Sequence, residues 1–174
     1  NYPPQLIYMP AAYNGVFLVN TVAAPVGQNP TPGSIYRYIV NMTTRKFVIP
    51  LGVYRSGINN AGSFTVDIAL NTDTVTKLMA VVPPKLPTGT VALPSDKYSL
   101  ESTSVEMKDG QEIAVFNVIV DLDFLIANYP GKNYAFGVSV SSTARATNPK
   151  YASTIVVIGT DMMKPTANFT SAVS

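Results

Sequence analysis

The residues of this chain that could do chemistry are its carboxylates, arginines and tyrosines, because it contains no His, no Cys and no Trp. Without imidazole there is no Ser–His–Asp triad and no His-ligated metal. Without thiols there is no disulfide framework, thiolate nucleophile, iron–sulfur cluster or zinc finger. The acidic residues are seven Asp and three Glu, with Asp121 and Asp123 as the close pair. Two carboxylates brought together by a fold can hydrolyse a glycoside. Here Asp121 suits the N-cap of a helix and Asp123 its first turn, where negative charge meets the helix dipole. Calcium would require several converging oxygen ligands, as in an Asp-x-Asp-x-Asp-Gly loop, and the chain has no such run. Gly52, Gly57, Gly62, Gly110 and Gly131 stand singly, so there is no Gly-rich phosphate loop. The expectation is no catalytic residue, no metal site and no cofactor.

Ten Tyr and seven Phe are the better material for ligand contact. Aromatic faces stack against sugar rings, and a phenol adds a polar edge. Phe64, Phe116 and Phe136 fall at core-facing strand positions. Tyr13, Tyr54 and Tyr151 fall near strand ends or loops and are the predicted ligand-binding residues. Arg37 lies between Tyr36 and Tyr38, a pattern also seen in stacking surfaces for nucleic acid or sugar. A strand with tyrosine facing inward and arginine outward accounts for it more simply. The net charge of +2, from 12 basic and 10 acidic residues, is too weak to track a phosphate backbone, so no nucleic-acid partner is expected.

The elements that must position these residues are mostly strands. Phe64, Val66, Ile68 and Leu70 alternate with Ser63, Thr65, Asp67 and Ala69, which places one side-chain set on a core. Tyr134, Phe136, Val138 and Val140 alternate in the same way, as do Phe47, Ile49, Leu51 and Val53. Pro50 within the last run suggests an edge or a bulge. Stretches 113–120 and 154–158 are apolar on both faces, as expected of central strands. Weaker strands are predicted over 5–9, 15–21, 34–41, 97–101 and 104–107, with Lys108–Gln111 as a tight turn joining 104–107 to 111–120.

Two short helices interrupt the alternation. Val75, Leu78, Met79 and Val82 predict a helix over about 73–82, capped by Thr72 or Asp73 and stopped by Pro83-Pro84. Leu122, Leu125, Ile126 and Tyr129 predict a second over about 122–129, capped by Asp121. Each closes an open end or side of a sandwich. The fold class is therefore all-β, a β-sandwich with Greek-key connections and two short helices. Residues 1–165 form one domain, and 166–174 read as a tail or linker.

The 174 residues are 13% charged, against about 25% in an average soluble domain. The deficit sits at one end, since the first 36 residues carry no charged side chain and Arg37 is the first. That segment reads as strands and Pro-rich loops, or as a surface that another chain covers. No run of about 18 apolar residues occurs, so no membrane-spanning helix is expected. No basic segment followed by an apolar one opens the chain, which reads as a mature or trimmed product. Asn41 and Asn168 begin Asn-x-Ser/Thr sequons, which arise often by chance.

The order of elements resembles the immunoglobulin-like domain of unknown function in surface lipoproteins of Bacteroides-type bacteria. Ile7-Tyr8-Met9-Pro10 is similar to the motif that opens many members, and the strand Phe64–Leu70 runs into Asn71-Thr72-Asp73 and a short helix. Leu93-Pro94, then Tyr98-Ser99-Leu100, leads to Val105–Gln111 with its Gly turn. The strand to Asp121, the helix Leu122–Tyr129 and the strands at Tyr134 and Thr154–Ile158 complete the order. Ala135-Phe136-Gly137 departs from the Leu-Pro-Leu common in that family. The resemblance implies an exported, non-catalytic module at the outer membrane or cell surface, a spacer, scaffold or binding domain in glycan capture. Its partners would be a glycan or an adjacent domain or protein, and its membrane contact only an upstream lipid anchor. Asp73-Thr74-Val75 matches the O-glycosylation pattern of such bacteria, which makes Thr74 a modification candidate. The alternative is an adhesin or pilin-like subunit that assembles by strand addition.

Overall fold

The computed structural model describes residues 3–19, 37–81, 84–129 and 131–163. In chain order the strands are β1 (Leu6–Tyr8), β2 (Val16–Leu18), β3 (Ile39–Asn41), β4 (Lys46–Arg55), β5 (Phe64–Asn71), β6 (Thr90–Ala92) and β7 (Tyr98–Leu100). They continue with β8 (Ser104–Met107), β9 (Ile113–Asp121), β10 (Asn133–Ser141), β11 (Ala146–Thr147) and β12 (Ser153–Gly159). The helices are α1 (Asp73–Ala80) and α2 (Leu122–Ala127). One sheet runs β11-β1-β4-β9-β7 with β3 also on β4, and the other runs β2-β12-β10-β5-β8 with β6 also on β10.

The period-two alternation of the sequence becomes the core between these sheets. Phe47, Ile49, Leu51 and Val53 of β4 and Phe116, Val118 and Val120 of β9 are buried from one side. Phe64, Val66, Ile68, Phe136, Val138, Val156 and Ile158 belong to the same cluster from the other. Each such side chain contributes roughly 1.5–3 kcal/mol of transfer free energy when fully buried. Tyr98 stacks on Phe136 with ring centroids 4.8 Å apart, and Tyr38 on Phe47 at 4.6 Å. Stretch 113–120 is indeed a central strand, between β4 and β7, and 154–158 lies between β2 and β10.

Pro50 marks neither an end strand nor a bulge. It pairs with Asn117 in an unbroken register between β4 and β9. The amide of Arg55 bonds to Glu112 on the β9 side, so strand alternation aims the nitrogen of Pro50 at the opposite flank. On that flank β3 pairs with 46–48 and β1 with 54–55, and Pro50 occupies the gap between them. The proline is tolerated because that point of a central strand has a bare side.

The turn at Lys108–Gln111 forms as predicted, with Gln111 N–H donating to the Lys108 carbonyl and Gly110 at φ +87°. It carries the chain from one sheet to the other rather than making a hairpin, because β8 pairs with β5 and β9 with β4. The helix boundaries fall close to expectation, but the cap of α1 differs. Neither Thr72 nor Asp73 caps through its side chain; Asn71 Oδ1 accepts from the Asp73 amide at 2.7 Å. Asp121 does cap α2, accepting from Phe124 N–H at 3.1 Å. Helix α2 sends Leu122 and Leu125 into the main core. Helix α1 lies on the outer face of the second sheet, where Val75, Leu86, Ala135, Ile155 and Val157 make a smaller cluster. That cover explains why β12 is apolar on both faces. No helix among the described residues is long and apolar enough to cross a membrane. The predicted tail at 166–174, the helix stop at Pro83, Tyr36, Asn168 and most of the uncharged opening lie outside the described residues.

Candidate functional site

Of the three tyrosines predicted as contact residues, Tyr13 meets Tyr151 directly and Tyr54 joins them through Tyr8. Ile7 of β1 faces the core, so the pleat turns Tyr8 outward. Tyr8 pairs across the sheet with Tyr54 of β4, and their rings lie 5.8 Å apart. The chain then bends through a 3-10 turn at Pro10–Ala12, in which Tyr13 N–H donates to the Pro10 carbonyl at 3.0 Å. This bend lays the Tyr13 ring over Tyr8, 6.3 Å away with 16° between planes. Tyr151 meets Tyr13 edge-on at 4.9 Å.

Backbone bonds fix the geometry of the cluster. The Met9 amide donates to the Tyr151 carbonyl at 2.8 Å, and the Asn148 amide to the Ile7 carbonyl at 2.9 Å. The buried Thr154 hydroxyl reaches the carbonyls of Ala11 and Gly15, each at 3.2 Å, and ties the bend to β12. Tyr13 is 53% exposed, while Tyr8, Tyr54 and Tyr151 are half-buried. Each aromatic pair adds about 0.5–1.5 kcal/mol beyond area burial, which holds the rings in place before any ligand arrives.

Burial pushes the Tyr8 phenol above the ordinary tyrosine range, reinforced by Tyr13, Glu112 and Tyr54. Burial likewise raises Tyr54, with Glu112 and Tyr13 adding to it. Both therefore keep their protons at neutral pH and act as neutral hydroxyls beside apolar rings. Among the described residues, Glu112 is the carboxylate whose charge adds to the rise of both phenols. The arrangement suits contact with a ligand that is apolar on its faces and hydroxylated at its rim.

The other residues with chemical potential have structural partners. Asp121 caps α2, and Asp123 pairs with Arg45, which contacts it through Nε and Nη2. Among the described residues there is no group of three or more His, Cys, Asp or Glu able to hold a metal. Arg37 lies over the Phe17 ring at 4.6 Å and donates to the Leu18 carbonyl at 2.8 Å, rather than simply reaching into solvent. Asn41 accepts the Thr44 amide in a turn. Thr74 stands half-buried in the first turn of α1, well away in sequence from the tyrosines.

Sequence reasoning passes over two residues of this region. Tyr8 lies in a strand of three residues, too short for a period to show which way it faces. Arg55, two percent exposed, is the other. Its guanidinium donates to the carbonyls of Gln111 at 2.6 Å, Lys108 at 2.7 Å, Ala61 at 2.9 Å and Gly62 at 3.0 Å. It thereby pins two loops beside Glu112, and burial followed by Arg145 lowers its pKa. Four backbone acceptors leave no trace in a sequence.

Residues 4–147 match the model of a family described as a "-like, N-terminal domain". No curated protein matches the chain in sequence. The fold is similar to that of a candidate carbohydrate-binding protein from Bacteroides ovatus, with a TM-score of 0.58 and 12% identity over 88% of this chain and 36% of that one. A protein of unknown function from the same organism gives 0.54 and 18% over 88% and 44%. An auxiliary nutrient-binding protein from Bacteroides thetaiotaomicron gives 0.50 and 15% over 84% and 44%. At these identities the likeness is one of fold, and the chain spans less than half the length of each of the three.

Proposed function

We infer the function from one premise: the chain belongs to the family of N-terminal domains whose model matches residues 4–147. The domain is a non-catalytic binding module of an exported Bacteroides-type surface lipoprotein, and it works in glycan capture without a cofactor. Residues 1–165 are read as one domain, an immunoglobulin-like Greek-key sandwich, and 166–174 as a tail or linker. The lipid anchor lies upstream, and an adjacent domain or surface protein is the second partner.

The observation that carries this reading is the convergence of Tyr13, Tyr54 and Tyr151 with Tyr8 into one partly exposed cluster. Partly exposed phenol rings offer apolar faces with hydroxyl edges, which a sugar ring can meet. Structures described as carbohydrate or nutrient binding share the fold, which supports a binding role. The strand-addition alternative is disfavoured at β2, where Arg37 already bonds to the Leu18 carbonyl.

Electrophoresis through gels containing neutral polysaccharides (β-1,3-glucan, β-1,4-glucan, xylan, mannan and starch) tests the reading. Retardation by at least one, lost when Tyr13 and Tyr151 are both replaced by Ala, is the expected result. Free migration through all five would reduce the module to a spacer.

A further inference from the structure

A groove of about 410 Å³ crosses the outer face of the second sheet. Its floor is made by Gly137, Ser139, Ser153 and Ile155, and α1 walls it with Thr74 and Leu78. The floor exists because outward positions that usually hold larger side chains are small here. Ser139 and Ser153 are cross-strand partners, and Gly137 stands opposite Ile155 on one side and Asn71 on the other. A Cβ at Gly137 would lie 2.8 Å from the Asn71 carbonyl oxygen, so the close approach of β5 and β10 requires glycine there.

Among the described residues, no charged side chain lines this groove. Its lining alternates hydroxyl and amide groups with aliphatic surface, and its volume lies in the range of about 300–1,000 Å³ typical of small-molecule sites. That chemistry suits a neutral, hydroxyl-rich ligand. Two chain segments join it to the tyrosines: Gly15 lines the groove two residues after Tyr13, and Ser153 lines it two residues after Tyr151. Thr154, which also lines it, is the residue that fastens the tyrosine-bearing bend to β12.

We propose that the groove between α1 and the 13–15 bend is a second subsite for a neutral oligosaccharide, so that one chain runs from Tyr13 and Tyr151 into the groove. This rests on the glycan-binding reading but extends it to ligand size. Binding should strengthen with chain length beyond two sugars.

The test is an amide NMR titration of the intact domain with neutral disaccharides and hexasaccharides of β-1,3-glucose, β-1,4-glucose, xylose and mannose. It is repeated on Ser139→Phe and Ser153→Phe, which fill the groove from outward strand positions. The expected result is a hexasaccharide bound at least tenfold more tightly than its disaccharide. Shifts should appear at Gly137, Ser139 and Ser153 as well as at Tyr13 and Tyr151, and either Phe variant should remove the length dependence. Shifts confined to the tyrosine bend, with no length dependence, would overturn the groove and leave the tyrosine reading standing. Shifts confined to the groove would overturn the tyrosine reading and, with it, the proposal that one chain contacts both. No shift with any sugar would overturn both, and the wild-type titration decides among these outcomes even if a Phe variant fails to fold.

Discussion

Replacing Arg55 by Met keeps the aliphatic stem and removes the four guanidinium bonds to Gln111, Lys108, Ala61 and Gly62. A hydrogen bond to a charged group contributes about 1.5–3 kcal/mol, but the sum over four overstates the loss, because water reaches some of the freed carbonyls. Each freed carbonyl that stays buried without a partner costs about 1–3 kcal/mol. That figure is partly offset by no longer burying a cation whose protonated form the site already disfavours. The net expectation is a loss of about 3–4 kcal/mol. For a domain of this size, about 2–4 °C of melting temperature goes with each kcal/mol. Urea unfolding of wild type and Arg55→Met, followed by circular dichroism, reads the loss directly. Arg55→Lys should recover less than half of it, because one ammonium cannot reach carbonyls on both the 61–62 and the 108–111 loops. A loss below about 1 kcal/mol at an unchanged m-value would refute the view that this guanidinium holds the loops together.

Three further outcomes follow from the geometry. Gly137→Ala forces a Cβ against the Asn71 carbonyl and should cost about 1–3 kcal/mol in the same unfolding assay. Asp121→Ala removes the cap on the Phe124 amide and should cost about 1 kcal/mol, while Asp121→Asn should cost only a fraction of that. The third concerns pH. Tyr8 and Tyr54 are raised in the folded state, so between about pH 10 and their folded values the unfolded chain holds fewer protons. Stability should therefore be insensitive to these groups below about pH 9 and fall as pH rises through 10. Sugar binding should likewise be flat from about pH 6 to 9, as measured by calorimetry across that range.

The sheet framework was legible because burial on one face writes a period of two, which β4, β5 and β10 carry, while β9 and β12 show as short runs apolar on both faces. The tyrosine cluster was half legible. Tyr13, Tyr54 and Tyr151 could be singled out as aromatics away from core positions, but their meeting depends on pairings between residues 8 and 54 and contacts between 13 and 151. The groove was not legible at all. Gly137, Ser139 and Ser153 look like ordinary small residues, and only the register of β10 against β12 places them on one floor. Pro50 misled for a related reason: a strand can be central along most of its length and bare at one residue.

The central claim is that the tyrosine cluster is the ligand-contact surface, and calorimetry on Tyr13→Ala/Tyr151→Ala tests it most directly. The titrant is the neutral polysaccharide that retards the wild-type domain most strongly. Removing two stacking faces should weaken binding at least tenfold while the melting temperature falls by only a few degrees, since Tyr13 lies largely in solvent. Unchanged affinity in a folded double variant would contradict the claim.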